Sequence, residues 1–142
     1  MRVLVVANRT AESDELLDAL KRRAADPGQV SFTLLVPATP HGVAWAADMH
    51  SGATEAEEHM GRAVERMRGA GLEVEGRVGD PDPVAAVEDE VNLHGPYDEA
   101  IVSTLPTSVS KWLKLDLPNR VRRATGLDVT HVTGSESGVA AG

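Results

Sequence analysis

The chain has 142 residues, of which 42% are hydrophobic and 25% are charged, and its formal net charge is −8. This length suits one domain with a real core, and the negative charge argues against general binding to nucleic-acid phosphates. No apolar run approaches the roughly 20 residues that span a bilayer, and the absence of cysteine excludes disulfides and thiolate chemistry. No small-residue cleavage site follows the first apolar residues, so we expect a cytoplasmic protein.

The first part of the chain alternates strands with helices. Residues 3–7 form a continuous apolar run, which is typical of a central parallel strand covered on both faces, and a second such strand is predicted over residues 30–36. A helix over residues 13–25 separates them, with basic residues near its C-terminal end, where cations complement the helix dipole. The connection 37–53 has no clear hydrophobic period. It is consistent both with a loop that covers a site and with an ordinary surface loop.

The remaining elements continue this alternation. Thr54 and Glu57 have capping-box spacing, which predicts a helix from Thr54 to about residue 70. Residues 72–78 alternate apolar and charged side chains, as in an edge strand with one face in water. Asp82 and Pro83 open the next helix. A short strand at 100–102, a helix over 116–126 and a strand over 127–133 complete a single domain 1–133, and residues 134–142 are predicted to form a flexible tail.

The hydrophobic patterns of the five strands indicate their order in the sheet. Strands one, two and four are apolar on both faces and belong inside, whereas strands three and five alternate and belong at the edges. A parallel sheet of order 3-2-1-4-5 with right-handed crossovers satisfies both demands. In such a sheet the ligand crevice lies where the strand order reverses, here between strands one and four. The candidate cofactor-binding residues are Asn8, Arg9, Thr10, Val36, Ser103, Thr104, Ser108, Ser110 and Lys111.

Three stretches resemble the universal stress protein family: the first strand ending in Asn8, the turn at residues 78–81, and the strand over residues 97–103. The resemblance rests on no single short motif. It rests on the order and lengths of the strands and helices over about residues 2–133. It implies a three-layer α/β sandwich, Rossmann-like and similar to the adenine nucleotide alpha hydrolases, with helices on both faces of the sheet. It also implies a homodimer joined through the last strand, here Val129, Thr130, His131 and Val132.

ATP-binding members of that family share a loop with glycine, two residues, glycine, nine residues, glycine, then serine or threonine. At this spacing the present chain has Ser103, Pro106, Asp116 and Leu117. Proline removes an N–H donor, aspartate places a carboxylate against a phosphate, and leucine has no hydroxyl. The resemblance therefore predicts a universal-stress-type protein that acts in stress response by interaction or regulation, with no cofactor and with ATP binding disfavoured.

Two other hypotheses remain open. The loop 103–114 has several hydroxyls and also contains Lys111 and Lys114, so the protein is alternatively a binding module for a nucleotide or other anion. A solvated helix face next to a turn-rich loop explains the same residues, and we favour it. The third hypothesis is a weak nucleotide hydrolase, although the chain has no phosphate loop of the G-x-x-x-x-G-K-[ST] type and no nucleophile elbow. No histidines pair at a zinc-like spacing, so we predict no metal site and no catalytic residues.

Overall fold

A computed structural model of the chain describes residues 1–25, 29–38, 51–106 and 110–134, without the side chains of residues 51–54. Its elements follow one another as β1 (Arg2–Val6), α1 (Asp14–Ala24), β2 (Ser31–Pro37), α2 (Ser51–Gly69), β3 (Glu73–Gly79), α3 (Pro83–His94), β4 (Glu99–Thr104), α4 (Lys111–Lys114), α5 (Leu117–Thr125) and β5 (Asp128–Thr133).

The five strands form one parallel sheet of order β3-β2-β1-β4-β5, which confirms the predicted order. The central strand β1 is wholly buried from Val3 to Val6, because it has strands on both sides and helices on both faces. The edge strands are more exposed: β3 alternates in burial from Glu73 to Glu75, and β5 has exposed residues around half-buried Val129 and Val132. The alternation of apolar and polar residues therefore indicated correctly which strands lie at the edges.

The sheet divides the core into two apolar layers, which confirms the three-layer arrangement. On one face, α1 contributes Leu16 and Leu20, and α2 contributes Ala63 and Met67. On the other face, side chains of α3, α4 and α5 cluster with those of β1, β2 and β4; the members of this layer include Val87, Trp112, Leu117 and Val121. The helices therefore cover both faces of β1 and leave the carboxyl ends of the strands at one edge, where the candidate crevice was placed.

The helix ends show which local signals were correct. Ser13 caps α1 by accepting a hydrogen bond from the Leu16 N–H, and Asp82 caps α3 in the same way through the Val84 N–H. Gly71, with φ of 90°, follows α2 in the left-handed conformation that commonly ends a helix. The prediction of Thr54 as the N-cap of α2 is wrong, because the helical backbone already extends from Ser51. Most of the predicted connection 37–53 lies outside the described residues.

Candidate functional site

The carboxyl ends of β1 and β4 lie side by side, since Val6 pairs with Val102. Just beyond them, the Thr10 and Ser103 hydroxyl oxygens are 2.6 Å apart in a buried hydrogen bond. The exposed fraction of each residue is 1%. Two side chains predicted to line the crevice are thus brought together, but each hydroxyl is already hydrogen-bonded to the other.

Asn8 occupies the end of β1 and is also held by protein groups. Its side-chain amide donates to the Pro37 carbonyl oxygen at 3.2 Å. Its main-chain carbonyl oxygen accepts a hydrogen bond from Nε2 of His59. Arg9 is exposed beside it. Val36 is wholly buried in the core layer of α1 and α2. Val36 therefore supports the floor of this region and offers no surface to a ligand.

Thr104, at the end of β4, contacts His131 of β5 and Gly134 just after β5. The Thr104 hydroxyl donates to the Leu105 carbonyl oxygen at 2.9 Å, so it accepts the hydrogen of His131 Nε2 at 2.7 Å. Desolvation of that imidazole lowers the pKa of His131.

The Gly134 N–H donates to the Thr104 carbonyl oxygen. Gly134, which was assigned to the tail, is buried, and a Cβ there would lie 2.7 Å from the Ser13 hydroxyl oxygen.

The loop after β4 carries the remaining predicted residues. Ser110 is buried and caps α4 by accepting a hydrogen bond from the Leu113 N–H at 3.1 Å, while the side chain of Lys111 is exposed. Ser108 lies outside the described residues. The short helix α4 was not predicted. Of the two last positions of the glycine pattern, Asp116 has φ of 56° in the left-handed region, and Leu117 has no exposed surface.

The basic stretch around α4 and α5 lies on the surface. Its cations, Lys111, Lys114, Arg120, Arg122 and Arg123, all belong to exposed residues. Arg122 donates to the Asn119 side-chain oxygen at 2.6 Å, and Arg123 Nη2 lies 3.8 Å from Asp116 Oδ2. These contacts resemble ordinary surface pairs, which contribute little to stability. They fit the solvated helix face that the sequence analysis favoured.

Sequence analysis missed a buried ionic network on the face covered by α3. Glu90 has an exposed fraction of only 4%, and its carboxylate accepts hydrogen bonds from Arg77 Nε and Nη2 and, at 2.6 Å, from the Tyr97 hydroxyl. The Arg2 guanidinium lies 4.4 Å from the centre of the Tyr97 ring. The sequence contained one signal of this network: Glu90 lies beside Val87 and Val91 on the inner stripe of α3.

Sequence analysis also missed a set of contacts between α2 and the loop that joins β1 to α1. Nδ1 of His59 lies 3.0 Å from Glu12 Oε2, and Arg62 Nε lies 3.5 Å from the same oxygen. Arg66 donates to the Glu12 carbonyl oxygen and pairs with Asp14. The recurrence of His59, Arg62 and Arg66 at positions i, i+3 and i+7 of one helix was the available signal.

An open groove of about 660 Å³ lies between α1 and the edge strand β5, away from the Thr10–Ser103 contact. Glu15, Asp18 and Arg22 line its helix side, and Thr130 and Val132 line its strand side. An ion pair between Arg23 and Glu99 lies among the groove residues. Of the residues predicted to form a dimer interface, Thr130 and His131 are exposed, and Val129 and Val132 are half-buried.

Within the part of the chain that the structure describes, no helix combines the length and apolarity needed to cross a bilayer.

Comparisons with known proteins show a likeness of fold. No family model matches the sequence, and no curated protein matches it. A solved structure titled as the universal stress protein from Archaeoglobus fulgidus superimposes with a TM-score of 0.61 at 19% sequence identity, covering 94% of this chain and 93% of that one. Over nearly its whole length, therefore, this chain has the fold of a universal stress protein.

Proposed function

We propose that the chain is a universal-stress-type protein that acts in stress response by interaction or regulation, without catalysis and without binding ATP in the usual manner of that family. The likeness of fold over 94% of the chain supports the general type. The strand order, the crevice position and the family resemblance of residues 97–103 support it further. The proposal about ATP rests on what the loop residues do.

The proposal rests on two observations, the backbone conformation of Asp116 and the burial of Leu117. Asp116 adopts the left-handed backbone conformation that glycine adopts at no steric cost, but it brings a carboxylate to that position. Leu117 is fully buried in the core layer with Val121, where a phosphate-binding member would present a hydroxyl. Ser103 is likewise engaged with Thr10. Asp116 thus has the left-handed conformation that suits a glycine at this position, while the side chains of Asp116 and Leu117 do not suit a phosphate.

Calorimetry on purified, nucleotide-stripped protein tests the proposal directly. We expect no measurable heat of binding when ATP with Mg²⁺ is titrated, because a carboxylate at residue 116 repels the phosphates and no hydroxyl replaces Leu117. A micromolar dissociation constant for ATP would refute this prediction. Phosphate release from ATP at high protein concentration would instead favour the hydrolase hypothesis.

The same preparation distinguishes the anion-binding hypothesis. A ligand that binds only the folded protein stabilises it by about 2.7 kcal/mol at a concentration 100 times its dissociation constant. Melting temperatures with ATP, inorganic phosphate and sulfate should therefore coincide with that of the free protein. A rise with phosphate that disappears in the Lys111→Ala variant would assign the loop an anion-binding role instead.

We also propose a homodimer joined through β5. This strand is a sheet edge with half-buried Val129 and Val132, and an edge of this kind is a template for pairing with another chain. Light scattering at micromolar concentration should give twice the 15.0 kDa of the chain, and Thr130→Lys should shift the mass toward one chain because lysine disfavours edge pairing. Gln29→Lys adds the same charge at an exposed residue before β2 and should leave the dimer intact. A wild-type monomer would contradict this interface.

A further inference from the structure

The helix α2 contacts the β1–α1 loop through three side chains on one face. His59, Arg62 and Arg66 follow one another at helical spacing. Both ring nitrogens of His59 face oxygen atoms, because Nε2 contacts the Asn8 carbonyl and Nδ1 lies 3.0 Å from a Glu12 carboxylate oxygen. Arg62 approaches that same carboxylate. One helix face thus binds two successive parts of the loop, its beginning at Asn8 and its end at Glu12.

Partial burial strengthens the central contact of this set. The His59 and Glu12 side chains have exposed fractions of 16% and 21%, whereas those of Arg66 and Asp14 are 42% and 79%. Water therefore reaches the Arg66–Asp14 contact more easily than the His59–Glu12 contact. The His59–Glu12 contact is thus the more enclosed attachment, and Arg66 adds a second through the Glu12 carbonyl oxygen.

The loop held by α2 is the one that closes the candidate crevice. Thr10, Ala11 and Ser13 are buried, with exposed fractions of 1%, 1% and 4%. On the side away from α2, the loop contacts Ser103 through Thr10, and Gly134 packs against Ser13. The loop is thus fixed from two directions, by helix α2 on one side and by β4 and the segment after β5 on the other.

We propose that His59, Arg62 and Arg66 form a clamp that holds the β1–α1 loop across the mouth of the crevice, so that the crevice becomes accessible to solutes when the clamp is released. The clamp explains how Thr10 and Ser103 stay engaged with each other at the position where this fold normally receives a ligand. A partner that binds elsewhere on α2 would then change the access of solutes to the crevice. This regulation goes beyond the proposed function and holds whether or not the crevice binds a nucleotide.

Amide hydrogen exchange of the full chain, followed by NMR, tests the clamp. The Ala11 N–H donates to the Asn8 carbonyl and the Ser13 N–H to the Thr10 carbonyl, so both report loop opening. In the His59→Ala/Arg66→Ala double variant, these two amides should exchange roughly tenfold faster or more, because local opening costs less free energy. The amide of Val5 in the sheet centre should keep its wild-type rate. Glu65→Ala, an exposed change on the same helix, should leave all three rates unchanged.

A second variant and a second measurement separate the clamp from general destabilisation. Glu12→Gln leaves α2 intact but removes the carboxylate that His59 and Arg62 contact, and it should accelerate the same two amides. In both variants, a neutral gadolinium chelate should broaden the amide signals of Thr10 and Ser103 more than in the wild type. Unchanged exchange at Ala11 and Ser13, or equal acceleration at Val5, would overturn the proposal. ATP binding by the wild-type protein would refute the proposed function without affecting this result.

Discussion

Replacement of Glu90 by alanine is expected to lower the free energy of unfolding by about 3 kcal/mol, because removing one partner of a buried ion pair leaves the others uncompensated. The Tyr97 hydroxyl is buried and would lose the carboxylate that it contacts at 2.6 Å. Arg77 would lose its contacts with both carboxylate oxygens, but its side chain is 29% exposed and can partly rehydrate. Urea denaturation of the purified variant measures the loss.

A matched change on the same helix gives the control. Glu88→Ala removes the same side chain from an exposed position of α3 and should alter the free energy of unfolding by less than about 0.5 kcal/mol. If the Glu90 and Glu88 variants lost equal stability, the network of Arg77, Glu90 and Tyr97 would have no structural role. Tyr97→Phe, which removes only the hydroxyl, should cost about 1 kcal/mol.

The same network predicts the direction of the acid response. Burial raises the pKa of Glu90, but the hydrogen bonds from Arg77 and Tyr97 outweigh it and hold the pKa below its ordinary value of 4.5. The folded protein therefore keeps Glu90 charged where the unfolded chain protonates it. The resulting stabilisation is complete above the unfolded pKa and is lost as the pH falls through the lower folded value. Glu90→Gln should flatten this loss below about pH 4.5, as measured by urea denaturation at several pH values.

Replacement of Leu117 by serine is expected to lower the free energy of unfolding by about 4 kcal/mol, since it combines a core cavity with a buried hydroxyl. The side chain has no exposed surface and packs in the layer that contains Val87, Tyr97 and Val121. The change introduces serine where the ATP loop of the resembling family has a hydroxyl residue. We therefore expect it to destabilise the fold without creating a phosphate site.

Leu115→Ser supplies the comparison two residues earlier in the chain. Leu115 is 51% exposed, so its loss should cost less than about 1 kcal/mol. Thermal unfolding should show a difference of roughly 10 °C between the two variants for a domain of this size. A stable Leu117→Ser protein that gains ATP binding would contradict the account of the loop given above.

The fold could be predicted because the relevant information is local and repetitive. Continuous apolar runs identified the inner strands β1, β2 and β4, and alternation identified β3 and β5 as edges. Helix α4 could not be predicted, since its four residues are too short for a hydrophobic period to appear. The burial of Glu90 could not be predicted, because Glu90 follows two exposed acids in α3 and its partner Arg77 lies on strand β3, 13 positions earlier in the chain.

The proximity of Thr10 and Ser103 could be predicted, but the hydrogen bond between them could not. The topology was sufficient to bring Thr10 next to Ser103, because parallel strands end at one edge of the sheet. Whether these hydroxyls face a ligand or each other depends on the local conformation of the loop, which no residue pattern encodes. The contact of His59 with Asn8 is similar, since it joins residues 51 positions apart through the packing of α2.

The pairing of β1 with β4 has a consequence for how the chain folds. Val3 pairs with Glu99, 96 positions further along, whereas the β2 partner of Val3 is Phe32. Long-range parallel pairing forms slowly, because the entropy of closing a large loop is lost before the contacts form. Until β4 docks, one edge of the most apolar strand stays uncovered and can pair with another chain. The central strand is thus fully buried from Val3 to Val6 in the folded protein but open to pairing at one edge while the chain folds.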